Sequence, residues 1–159
     1  MPSESRSSEE LAPETELAPA TELAIFRPSW VPETGHRSYG TGIEFDVVRI
    51  PGDRGAEVSE ELITAARGIA GPILVRLKSS VQDTVFIVPR GTAEELQWPP
   101  GVFAHGTRWR EYVAVPALRS CPTASMRWES RPTAEQEYVD LGVLYELVCR
   151  LTHWPGEQQ

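Results

Sequence analysis

Thr84-Val85-Phe86-Ile87-Val88 is the stretch that most limits what this chain can build. It is an unbroken β-branched and aromatic run closed by Pro89 and Gly91, so it reads as a central strand buried on both faces. Its neighbours supply a sheet. Ile43 to Ile50 alternates well enough for a strand, which Pro51 and Gly52 end. Ile73 to Leu77 is another, joined to the central run across the polar, hairpin-sized Lys78 to Asp83. Val102 to Ala104, Glu111 to Pro116 and Met126 to Glu129 offer shorter strands. Gly35 to Gly42 holds three glycines and reads as a turn region.

Helices are marked by a different period. Val58, Leu62, Ala65, Ala66 and Ile69 share one face, with Glu57, Glu60 and Glu61 in the first turns, where carboxylates complement the helix dipole. Thr92 to Glu95 fits a capping box, which predicts a short helix reaching Leu96. A last helix carries Tyr138, Leu141, Leu144, Tyr145, Val148 and Leu151 on one stripe. Asp140 is its favoured N-cap and Thr133…Gln136 the alternative start. The predicted fold is α+β, a mostly antiparallel sheet of about five strands with two main helices packed on one face.

Charge divides the chain further. The formal net charge is -8, and residues 1–24 carry -5 of it, as six glutamates and one arginine. This segment repeats every six residues: Glu10-Leu11-Ala12-Pro13-Glu14-Thr15, Glu16-Leu17-Ala18-Pro19-Ala20-Thr21, then Glu22-Leu23-Ala24. Pro13 and Pro19 forbid a continuous helix, and the apolar content is too low to offset ordering entropy. The expected organisation is a disordered acidic low-complexity tail over 1–34 and a single α+β domain over 35–155, with Phe26, Trp30 and Val31 pinning one to the other. The tail reads either as a docking segment with spaced leucine anchors or as a solubilising segment. No stretch approaches the ~18–20 apolar residues of a membrane span, and the N-terminus lacks a secretory pattern. No membrane association and a cytoplasmic location are expected.

Most catalytic motifs are missing. His36, His105 and His153 lack zinc-site spacing, and neither Cys121 nor Cys149 has a partner within four residues. There is no G-x-S-x-G elbow and no phosphate-binding loop, and Lys78 is the single lysine. Two constellations remain. Glu44 and Asp46 stand at i and i+2, on one face of the predicted first strand, where paired carboxylates can hold Mg or Mn. A solvated sheet face is the simpler account of them. Between residues 105 and 131, five arginines face two glutamates. Arg108, Trp109, Arg110, Arg127 and Trp128 are the residue types of a single-stranded nucleic-acid groove, where bases stack and guanidinium groups meet phosphate. Dispersed surface arginines with core tryptophans are the simpler account here.

Phe45-Asp46-Val47-Val48-Arg49-Ile50-Pro51, Gly71 to Val75 and Val85 to Ala93 resemble the bifunctional DNA primase/polymerase N-terminal domain, in particular its short, divergent actinobacterial members. Tyr112 to Pro116, Arg127-Trp128-Glu129 and a helix from Asp140 follow in the same order. The similarity spans about residues 36–152 and rests on short apolar motifs. Primer-making members use an acidic pair on one strand, a histidine on a later strand and a further acid to bind divalent metal and nucleotide. Asp46 matches the first acid of the pair. Val48 stands where the second belongs, and no histidine occurs around Thr84-Val85-Phe86. The resemblance without these ligands implies a non-catalytic binding or regulatory module, with no cofactor and a protein partner. The alternatives are primase/polymerase-type nucleotidyl transfer with Mg or Mn on Asp46 and Glu44, and single-stranded nucleic-acid binding through residues 105–131.

Overall fold

The computed structural model describes residues 26–119, 123 and 125–156; the acidic repeat and the Cys121 loop lie outside them. Within the described residues the elements run β1 (His36–Gly40), β2 (Asp46–Pro51), α1 (Gly52–Ala65), β3 (Ile73–Lys78), β4 (Val81–Val88), a 3-10 turn (Ala93–Glu95), β5 (Phe103–His105), β6 (Tyr112–Pro116), β7 (Met126–Ser130) and α2 (Leu141–Thr152). Five strands form one sheet in the order β5-β2-β4-β3-β7, with every neighbouring pair antiparallel. β1 and β6 form a separate antiparallel ribbon. This is the α+β architecture predicted. No helix among the described residues is long and apolar enough to cross a membrane.

β4 is the middle strand, and Val85, Phe86, Ile87 and Val88 are all fully buried, as the apolar run requires. Its alternate residues feed two cores. Phe86 and Val88, with Val48, Ile50 and Ile73, meet Val58 and Leu62 of α1 and Leu144, Leu147 and Val148 of α2. Val85 and Ile87, with Phe45, Val47 and Leu74, meet Val113 and Val115 of the ribbon and Trp30, Val31 and Leu118. Each such side chain contributes about 1.5–3 kcal/mol by leaving water. Trp30 is clasped between Phe45 (centroids 5.3 Å, edge-on) and Tyr138 (5.9 Å, stacked).

Local departures from the sequence reading have simple causes. The glycine-rich 35–42 region is not only turn, since His36–Gly40 is strand β1. Its pairing with β6 is main-chain bonding, which composition does not report. β2 starts at Asp46 and not at Ile43, because the Gly42 N–H donates to the Phe45 carbonyl and closes a turn before it. α1 starts at Gly52, six residues before Val58, and stops at Ala65. Its first turn is solvated and therefore lacks an apolar signal. The stop follows from Arg67 and Gly68, at φ 55° and 85°, where the helix cannot continue. Gly55 permits close docking of α1 on β4, since a Cβ there would lie 2.8 Å from Thr84 Oγ1 and 2.9 Å from Thr84 Cβ. α2 begins after Asp140, whose Oδ1 accepts the Val143 N–H at 3.0 Å. Thr133 instead accepts the Gln136 N–H in an isolated turn.

Candidate functional site

Asp46 is 1% exposed and belongs to the helix-side row of β2, with Val48 and Ile50. Its Oδ2 accepts the main-chain N–H groups of Thr92 and Ala93, each at 3.1 Å. The carboxylate thus fastens the 3-10 turn to the sheet. Oδ1 is buried without a hydrogen-bond partner. Glu44 is exposed and precedes the strand, so the pleat does not align it with Asp46. These residues do not fit the metal pair that the primase resemblance implies. Oδ2 is taken up by two amides, Val48 lies in the core, and no group of three or more His, Cys, Asp or Glu side chains gathers among the described residues.

The turn that Asp46 fastens carries Glu94, which organises the next loop. Glu94 Oε2 accepts the Gly106 N–H at 2.9 Å and the Trp109 N–H at 2.5 Å, and Oε1 accepts the Arg108 N–H at 3.0 Å. Burial opposes ionisation of Glu94, but the amides of Arg108, Trp109 and Gly106, with the Arg108 charge, outweigh it and hold the carboxyl below its ordinary range. Gly106 has to be glycine for steric reasons. A Cβ would sit 2.8 Å from Asp46 Oδ2 and 3.0 Å from Glu94 Oε1.

His105 holds the other end of this loop. Its Nε2 lies 3.3 Å from Arg49 Nε and its Nδ1 2.9 Å from the Trp109 carbonyl oxygen. A guanidinium can only donate, so Nε2 accepts and Nδ1 carries the proton given to Trp109. The main chain of Trp109 is therefore held at both its N–H and its carbonyl, while the residue stays 64% exposed. A cavity of about 350 Å³ opens beside the indole, walled by Glu94, Leu96, Val102, Phe103 and His105. Tyr112 (75% exposed) and Ile43 (56%) stand close by over Gly40, 3.5 Å and 3.9 Å from where its Cβ would be. Arg110 donates to the Thr41 carbonyl at 2.9 Å and Arg90 to the Ile43 carbonyl at 3.5 Å. Trp109 and Phe103 beside the cavity and Ile43 and Tyr112 at Gly40 are the exposed apolar side chains of this face, and Arg110 ties the two groups, its guanidinium 3.9 Å from the same Gly40 position.

A charge cluster underlies that face. Asp83, 2% exposed, lies between Arg76 (3.1 Å) and Arg49 (3.5 Å). Arg76 also reaches Glu111 at 2.8 Å, and Lys78 approaches Glu111 at 3.6 Å. Burial raises the Glu111 carboxyl, but the hydrogen bond from Arg76 and the charges of Lys78 and Arg76 outweigh this and lower it. The Arg49 guanidinium stacks on Phe103, 4.6 Å from the ring centroid. Sequence reasoning did not single out Arg49, Arg76, Asp83, Glu94 or Glu111. The available signal was two arginines inside otherwise apolar strands, since a guanidinium there needs a buried acid.

The five residues read as a nucleic-acid groove divide into two places. Arg108, Trp109 and Arg110 share the loop after β5. Arg127 and Trp128 lie on β7, the opposite sheet edge, across three intervening strands or roughly 19 Å at ~4.8 Å per strand spacing. The Trp128 indole N–H donates to the Ala117 carbonyl at 3.2 Å and the ring packs on the ribbon-side core. Arg127 pairs with Glu129 at 3.4 Å.

Fold and site together define a small α+β domain whose buried carboxylates serve its own backbone and arginines, and whose 105–110 loop exposes an indole between two arginines. Comparisons with protein-family models, curated proteins and solved structures found no match.

Proposed function

We propose that this protein is a non-catalytic, cytoplasmic binding module on a primase-polymerase-like scaffold, and that it engages a protein partner through the face formed by Ile43, Phe103, Trp109 and Tyr112. The observation that carries the reading is the double hold on Trp109. With its main chain already fixed, Trp109 has only its two side-chain torsions to lose on binding, which suits an interface anchor. Tyr112 and the rim arginines are the other residue types enriched in such anchors. The commitment of Asp46 to the amides of Thr92 and Ala93, with Val48 in the core beside it, supports a scaffold without nucleotidyl transfer.

The test is affinity capture on the immobilised full chain, compared with Trp109→Ala and with Leu77→Ala, an exposed control on the β3–β4 hairpin. Proteins retained by the wild type and the control but lost by Trp109→Ala support the reading. Calorimetric titration with Mn²⁺ and a nucleoside triphosphate is the opposing arm. Saturable binding that Asp46→Asn abolishes would refute a non-catalytic role.

Single-stranded nucleic-acid binding is a second reading, favoured by Trp109 lying between Arg108 and Arg110. It predicts oligonucleotide quenching of Trp109 that weakens steeply with salt.

A further inference from the structure

We infer that the chain's own acidic segment, residues 1–24, docks in cis on the arginine-rimmed aromatic face and competes with the partner there. The inference rests on the reading of that face as a binding surface and adds what occupies it in the free protein. Charge is the first argument. Residues 25–159 are acidic by only -3, whereas residues 1–24 carry -5. Several arginines are neutralised locally, Arg49 and Arg76 by Asp83 and Arg127 by Glu129. Arg90 and Arg110 are held by carbonyl oxygens, which position a guanidinium and leave its charge uncompensated. A segment rich in carboxylates supplies what that rim lacks.

Apolar matching is the second argument. Leu11, Leu17 and Leu23 each directly follow a glutamate, so every repeat presents a carboxylate beside an aliphatic side chain. The face presents guanidinium groups beside a cavity of about 350 Å³ walled by Leu96, Val102, Phe103 and Trp109, together with Glu94, whose carboxylate is already occupied by three main-chain N–H groups. Reach is the third. Phe26 lies beside Arg131, just past β7, four strand spacings or roughly 19 Å from β5, and Leu17, nine residues before Phe26, can span up to ~30 Å. Tethering supplies an effective concentration on the order of millimolar, so a weak contact suffices.

A rival seat for the same segment exists. A cavity of about 610 Å³ is lined by Phe26, Leu118, Arg119, Arg131 and Glu135. Glu135 opposes an acidic occupant there, whereas the Glu94 carboxylate at the first seat is already taken up by three main-chain N–H groups.

Acrylamide quenching of Trp109 in the full chain decides the matter. The Trp109 contribution is obtained by difference from the same protein carrying Trp109→Phe, and circular dichroism checks that each variant is folded. If the segment covers the face half of the time, combining Leu11→Ser, Leu17→Ser and Leu23→Ser raises the Trp109 quenching constant about twofold. Salt near 1 M, where the Debye length is ~3 Å, acts in the same direction, and so does Arg90→Ser with Arg108→Ser. An unchanged constant overturns the inference. So does a constant that responds only to Arg119→Ser with Arg131→Ser, or one that depends on protein concentration, which would assign the contact to a second copy. Failure here leaves the capture experiment untouched, because that experiment reads Trp109 with or without a competitor.

Discussion

Removal of the Glu94 carboxylate tests how the exposed loop is held. Three N–H groups converge on it, from Gly106, Arg108 and Trp109. Gly106 is buried, and its orphaned N–H in Glu94→Ala would cost about 1.5–3 kcal/mol, the range for a bond to a charged group. Arg108 and Trp109 are exposed and their amides can rehydrate, so each adds only about 0.5–1 kcal/mol. The expected loss is about 2.5–5 kcal/mol. Glu94→Gln keeps one carbonyl oxygen but turns an NH₂ toward a backbone donor, and it should fall between wild type and Glu94→Ala. Urea unfolding followed by tryptophan fluorescence measures both. The acid limb gives an independent check. The folded carboxyl titrates below its unfolded counterpart, so its stabilisation is complete above the unfolded value of ~4.3 and is lost as pH falls through the lower, folded one. Glu94→Gln should therefore lose less stability than wild type on acidification below about pH 4. A Glu94→Ala cost under about 1 kcal/mol, with an unchanged acid limb, would refute the view that this side chain builds the loop.

Other outcomes follow from the same contacts. Asp46→Asn retains an oxygen for the Thr92 and Ala93 amides and should cost about 1 kcal/mol, whereas Asp46→Ala should cost about 3–5 kcal/mol by denaturant titration. Asp83→Ala leaves half-buried Arg49 without its carboxylate and Arg76 with Glu111 alone, and should destabilise by about 3 kcal/mol. Ser79 and Ser80 sit at φ 52° and 69° in a two-residue hairpin, the geometry of a type I′ turn. Replacing them by Asn-Gly should raise stability by about 1 kcal/mol and the melting temperature by a few degrees in calorimetry.

The layered core was legible because apolar period and β-branching report burial directly. Val85 to Val88, the α1 stripe at Val58 and Leu62, and the Asp140 cap all appear where the residues place them. β1 was not legible, since His36-Arg37-Ser38-Tyr39-Gly40 is exposed or half-buried and joins β6 mainly through main-chain bonds. The site was legible in part. Arg108, Trp109 and Arg110 stood out as residue types, but the carboxylate that organises their loop comes from Glu94, at least twelve residues away, and binds the amides of Gly106, Arg108 and Trp109. Main-chain donors have no letter in a sequence. Trp128 was grouped with Trp109 on composition, and only the strand order separates them.

The middle strand carries a consequence of its own. When one side of a strand is wet, sliding it by one position puts greasy groups into water, and the mistake penalises itself. β4 has no wet side over Val85 to Val88, so a slip there would exchange Val85 and Ile87 for Phe86 and Val88 between two equally dry layers. Hydrophobicity alone is nearly blind to that error. The few polar fixtures at the margins must then set the alignment: Asp46 gripping the turn beyond β4, Asp83 seated opposite Arg76, and the tight Ser79-Ser80 reversal. In this chain the charged residues among the apolar strands serve as the index marks that tell an otherwise featureless ladder where to stop.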